Sequence, residues 1–184
     1  MELIILLVVI VVIVFALVGM YNKLVRLRQN VKESWSSIDT ELRRRYDLIP
    51  NLVETVKGYA THEQETLENV IKARNAAIAN TGSPESQAQS ETQLTGALRQ
   101  VFALSEAYPQ LQANQNFQQL QTQLEETETR LSQSRRFYNA NVRDLNTSIE
   151  SFPSSLLAGN FGFRAEPYFE IDEPAARGPV AVKF

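Results

Sequence analysis

The residues with the best claim to chemistry sit close together near position 60. His62 is the only histidine of the chain and lies in His62-Glu-Gln-Glu65. A histidine followed by glutamate on a helix is half of a zinc-hydrolase motif, but the second histidine that would complete the ligand pair is absent. Di-iron helical bundles supply Glu-x-x-His pairs, and none occurs here. There is no cysteine, so disulfides, thiolate nucleophiles and iron–sulfur clusters are excluded. There is also no Gly-rich phosphate loop and no Gly-x-Ser-x-Gly. Asp39, Glu41 and Asp47 fall on a polar helix face by spacing. His62 reads as a helix-start residue beside a capping threonine. The expectation is therefore a protein without catalytic residues, cofactor or metal. A mild net charge of −3 gives no reason to expect nucleic acid binding, which usually shows a basic face.

The other charged cluster is Arg43-Arg44-Arg45. It belongs to a long helix that organises the chain. Leu3 to Met20 is apolar without charge or proline, which suits a membrane-spanning helix of about 17–25 residues. A cleaved signal peptide is the rival reading, but it wants a positive start and a small-residue cleavage site, and Val18-Gly19-Met20 is a poor one. No Gly or Pro occurs between Tyr21 and Ile49, so the helix is expected to continue into the aqueous domain. Lys23, Arg26, Arg28 and Lys32 follow the apolar run, and only Glu2 precedes it. The positive-inside rule then gives a single-pass anchor with its C-terminal domain in the cytoplasm.

Beyond the anchor, Val31, Trp35, Ile38, Leu42, Ile49, Leu52, Val56 and Tyr59 recur at three or four positions, one stripe of a buried helix. Arg45 takes an apolar position in that stripe. Pro50 removes a backbone donor and predicts a kink or short break, with Asn51 satisfying the exposed backbone. Thr61 to Gln64 reads as a capping box opening a second helix, with Leu67, Val70, Ile71 and Ile78 buried. Asn80-Thr-Gly-Ser-Pro84 is turn chemistry, and a third helix is expected over about 85–106. A fourth, capped by Asn114 or Asn116, carries Phe117, Leu124, Leu131, Tyr138, Leu145 and Phe152 at intervals of seven. Its companion stripe, Leu120, Thr127, Ser134, Asn141 and Ser148, is small and polar and allows close approach to a neighbour.

Lengths then fix the architecture. The aqueous part of helix one and all of helix four span roughly 55–60 Å, and helices two and three about half that. The predicted fold class is all-α: an N-terminal transmembrane helix continuous with a long antiparallel bundle of two long and two short helices, plus an irregular aromatic tail. The expected divisions are an anchor at 1–20, a bundle at 21–151 and a partly extended tail at 152–184. With helix tops aligned, the arginine triplet lies level with Glu125, Glu126 and Glu128, so ion pairs are expected there. It stands roughly 35 Å above the membrane, beyond a Debye length of about 10 Å from any headgroup.

The tail returns to the level of Tyr21. Phe152, Phe161, Phe163, Tyr168 and Phe169 require cover, available from the helix pair itself, the headgroup zone or a neighbouring subunit. Residues 178–184 alternate like a short strand. Phe152, Pro153, Leu156, Leu157, Phe161, Phe163, Tyr168 and Phe169 are the expected interaction residues. Trp35, Arg45, Pro50, Asn51, Tyr138 and Asn141 are the expected structural ones.

The run Leu42-Arg-Arg-Arg-Tyr-Asp-Leu-Ile-Pro-Asn-Leu-Val-Glu-Thr-Val-Lys-Gly-Tyr-Ala-Thr-His-Glu63 resembles the signature of the LemA family. So do Tyr138-Asn139, Phe152-Pro153, Phe161-Gly162-Phe163 and Tyr168-Phe169-Glu170, and the resemblance covers nearly the whole chain. Tyr46 departs from it, since many members look smaller there. The resemblance implies a membrane-anchored, elongated helical bundle of a bacterial envelope. Some relatives are linked to shaping magnetosome membranes, and others neighbour a membrane-bound zinc metalloprotease; neither role maps to a residue here. Two functions are expected from these features. The first is a self-assembling scaffold on the lipid bilayer, a homo-oligomer. The second is an adaptor that presents a helical surface to a membrane protease or other envelope protein.

Overall fold

The computed structural model describes residues 1–171; the strand-like run at 178–184 lies outside them. It contains helices α1 (Glu2–Lys57), α2 (Gln64–Ala79), α3 (Pro84–Ala107), α4 (Pro109–Gln112), α5 (Gln115–Glu150) and α6 (Ser154–Asn160), with no strand among the described residues.

Helix α1 is unbroken over 56 residues, about 84 Å. Its surface is exposed through Gly19, and burial begins at Leu24. From there Val31, Ile38, Leu42, Ile49, Leu52 and Val56 form the expected stripe, and Arg45 occupies its apolar position fully inside. Tyr59 is a correction: it lies past the helix end, exposed, where its hydroxyl accepts from Asn114 Nδ2 at 2.9 Å. Pro50 causes no break. The Tyr46 carbonyl, whose helical donor would be the missing Pro50 N–H, accepts instead from Arg74 Nε at 2.7 Å. Asn51 points to solvent and does not take that role.

The capping box at Thr61 does not form. Tight turns after Val56 carry the chain past Thr61 and His62, both exposed, and α2 starts only at Gln64. The Gln64 side chain donates to Glu68 on its own helix. Leu67 and Val70 are buried as expected, but Ala77 takes the last inner position and leaves Ile71 and Ile78 partly exposed. The small Ala77 admits α3 closely, and its carbonyl accepts from Gln87 Nε2 at 3.2 Å. Asn80 ties the α2–α3 turn by accepting from Gly82 N–H and donating to Ser90 Oγ. Ser83 caps α3, with Pro84 in the first turn where its missing donor costs nothing.

Asn114 caps α5 by accepting from Phe117 N–H at 3.0 Å. Helices α1 and α5 are antiparallel neighbours along nearly the full length of α5. Tyr59 meets Asn114, Arg45 meets Glu128, Trp35 meets Tyr138 and Asn30 meets Asn141. Phe117, Leu124, Leu131, Tyr138 and Leu145 are all buried in one core with residues of α1, α2 and α3. In the companion stripe Thr127 and Ser148 are buried, and Asn141 reaches the Asn30 carbonyl at 3.4 Å. Phe152 breaks the heptad series: α5 ends at Glu150, and Phe152 is 81% exposed beside a cis Phe152–Pro153 bond. The tail is not wholly irregular, because α6 opens it and packs on α1 and α5.

Candidate functional site at the end of the apolar run

Two constellations stand out, and they lie at different heights on the α1–α5 pair. The upper one is a buried polar cluster. Arg45 pairs with Glu91 of α3 at 3.3 Å and with Glu128 of α5 at 3.2 Å, and donates to Thr95 Oγ1 at 2.8 Å. The Tyr46 hydroxyl donates to the other oxygen of Glu91, and Gln87 Nε2 donates to the Tyr46 oxygen at 3.0 Å. Burial raises the Glu91 carboxyl above its ordinary value, against the lowering influence of Tyr46, Arg45 and Gln87. Tyr46 is raised by burial and by the facing carboxylate. Every charge here has a partner inside the same chain, so the cluster specifies how α1, α3 and α5 meet. The expected match of the whole arginine triplet to α5 is only partly met: Arg43 pairs with Asp39 and Arg44 with Glu41 on their own helix. Glu91 was legible as a charge on the apolar stripe that contains Leu94 and Leu98.

The lower constellation surrounds Tyr21, one residue past the apolar run. Phe161 and Phe163 meet its ring edge-on at 5.1 and 5.9 Å, and the Arg28 guanidinium lies 4.9 Å from the Phe163 ring centre. Gly162, with φ of 69°, sits between the two phenylalanines, a conformation that favours glycine. Phe163 is 5% exposed and Phe161 56%. Leu156 is 64% exposed, Pro153 and Tyr168 are also exposed, and Leu157 is half-buried.

The following segment is extended and pinned to α5 by side-chain amides. Asn146 Oδ1 accepts from Glu166 N–H and its Nδ2 donates to the Glu166 carbonyl, both at 2.9 Å. One heptad higher, Asn139 does the same to Phe169, at 2.9 and 3.1 Å. The Tyr138 hydroxyl donates to the Pro167 carbonyl at 2.9 Å, and burial, with Glu166 nearby, pushes its pKa up to about 12. Phe169 is fully buried against Trp35, ring centres 5.4 Å apart. Phe163 and Phe169 therefore complete the protein's own core, whereas Phe152, Leu156 and Phe161 are left on the surface. Asn146 and Glu166 were not singled out in the sequence; the one signal was a second asparagine seven residues after Asn139. Among the described residues no group of acidic, histidine or cysteine side chains is placed to hold a metal.

An elongated helical bundle that continues from an apolar helix long enough to cross a membrane is the class of protein these features define. The chain belongs to the LemA family, whose family model matches residues 34–184. It is 25% identical to magnetosome protein MamQ 2 of Paramagnetospirillum magneticum over 185 residues, covering 87% of this chain and 68% of that protein. It is 24% identical to magnetosome protein MamQ of Magnetospirillum gryphiswaldense over the same shares. Protein LemA of Metamycoplasma hominis is 26% identical over 163 residues, 86% of this chain and 73% of that one. The family and these relatives suggest a membrane-associated protein, in keeping with the apolar end of α1.

Proposed function

We propose that this protein is a non-enzymatic scaffold of the bacterial inner membrane. Residues 1–20 anchor it, the bundle stands in the cytoplasm, and copies assemble side by side through the base of the α1–α5 pair. The observation that supports this reading is the exposure of Phe152, Leu156 and Phe161 in a tail where Phe163 and Phe169 are buried. Each apolar side chain moved out of water contributes about 1.5–3 kcal/mol. Three on each copy are enough to drive association beside an anchor that already confines the chains to a plane. The continuous α1 would transmit the packing of such rods to the bilayer, organising or shaping it.

The test is particle mass of the full chain in mild detergent, by light scattering or negative-stain imaging. A large, discrete assembly is expected, and F152S/F161S should reduce it to small particles with helix content and melting temperature unchanged. F163S, by contrast, should lower the melting temperature, since losing a buried phenylalanine typically costs about 3–5 kcal/mol. A monomeric parent chain, or an F152S/F161S assembly of undiminished size, would overturn the scaffold reading.

A further inference from the structure

On the flank of the same base, α1 and α5 leave a groove that α6 does not fill. Its α1 wall is Met20, Lys23 and Leu27; its α5 wall includes Arg143, Asp144 and Ser148, and Phe152 closes the lower rim. Met20 is the last residue of the apolar run. Lys23 lies about 4.5 Å further along the helix axis and Leu27 about 10 Å. On an anchor spanning a hydrocarbon core of about 30 Å, that interval coincides with the headgroup layer, roughly 5–8 Å deep on each side. Neither Lys23 nor Arg143 is in an ion pair among the described residues. Ser148 is 7% exposed, and its buried Oγ has no hydrogen-bond partner among the described residues. Two free cations, an unsatisfied hydroxyl and flanking apolar walls at this height match a phosphate on an acyl-chain stem. The single carboxylate, Asp144, leaves the groove net positive.

We infer that the groove between α1 and α5 binds one anionic phospholipid, its phosphate held by Lys23 and Arg143 with Ser148 donating, and its glycerol and upper acyl chain against Met20, Leu27 and Phe152. The site rests on the anchor reading of α1 but not on self-assembly. Basic residues near an anionic surface attract it collectively. A groove site differs from that general attraction because only the charges that line it matter.

The test uses the full chain in detergent, with bound lipid read by native mass spectrometry and particle mass measured on the same samples. One phosphatidylglycerol per chain is expected to be retained, and phosphatidylcholine not. K23Q/R143Q should lower retention about tenfold or more, and S148A about fivefold. R26Q/R164Q, the same charge loss on exposed residues outside the groove, should leave it unchanged. Millimolar inorganic phosphate should fail to displace the lipid; displacement would make the ligand free phosphate and overturn the lipid assignment. Equal retention of phosphatidylcholine, undiminished retention by K23Q/R143Q, or equal loss in R26Q/R164Q would also overturn it. A monomeric particle that still retains phosphatidylglycerol would sink the scaffold alone.

Discussion

Arg74 Nε donates to the Tyr46 backbone carbonyl at 2.7 Å. Pro50 is the residue whose N–H would fill that acceptor in a regular helix. A side chain of α2 thus occupies the gap that proline opens in α1, and the helix passes through without interruption. The same bond ties α2 to α1 one residue from the buried Arg45, so the defect becomes a docking point between helices.

Arg74→Ala should destabilise the protein by about 1–2 kcal/mol, the worth of a half-buried hydrogen bond from a charged donor. In a Pro50→Ala background the helix supplies its own donor, and the same change should cost about 0.5 kcal/mol or less. Chemical denaturation of the four variants closes the cycle. Equal costs in both backgrounds would mean that Arg74 acts through something other than the Tyr46 carbonyl.

Glu91 gives the fold a pH dependence whose sign is determined by burial. Its carboxyl is raised in the folded state above the ordinary glutamate value of 4.5, so the folded protein holds more protons than the unfolded chain in the window above that value. Its contribution is then fully present below pH 4.5 and lost as pH rises through the raised value. Glu91→Gln, which cannot ionise, should gain stability relative to the parent across that window, with a slope of at most about 1.4 kcal/mol per pH unit. Denaturation curves of both proteins from pH 4 to 8 measure it. A difference that stays flat would place an ordinary, ionised carboxylate at position 91.

The two asparagines of α5 should control the tail independently of the bundle. Each makes two hydrogen bonds to backbone groups, worth together about 2 kcal/mol. Asn146→Ala should therefore speed amide exchange at Glu166 about 30-fold, and Asn139→Ala that at Phe169, while the amides of Leu131 and Ile38 exchange as before. Unchanged rates at Glu166 and Phe169 would show that Phe169 burial alone holds the segment.

Much of this arrangement was legible because the signals are local. A heptad of large apolar residues on α5 and a matching stripe on α1 declare two helices and their buried faces, since the periodicity of side chains follows directly from helix geometry. Asn114, one of the two cap candidates for α5, announces a helix start in the same way. The capping box at Thr61 failed because a local motif cannot register that the chain needs two more residues to turn over the end of α1. The aromatic tail was legible as a segment that needs cover. Its division was not: Phe161 and Phe163 are the same residue type on either side of Gly162, and only the packing of α6 on α1 makes one core and the other surface.

The sequence by itself determined the four main helices, the apolar anchor candidate, the pairing of the two long elements and the location of the aromatic base, because each follows from residue type and spacing within one segment. The tertiary structure alone decided which polar groups meet. Arg74 finds Tyr46, Glu91 finds both Arg45 and Tyr46, and Asn139 and Asn146 find backbone groups of the tail. A hydrogen bond across helices depends on the height and rotation of two elements at once, and an acceptor that is a backbone carbonyl leaves no mark in the residue that carries it.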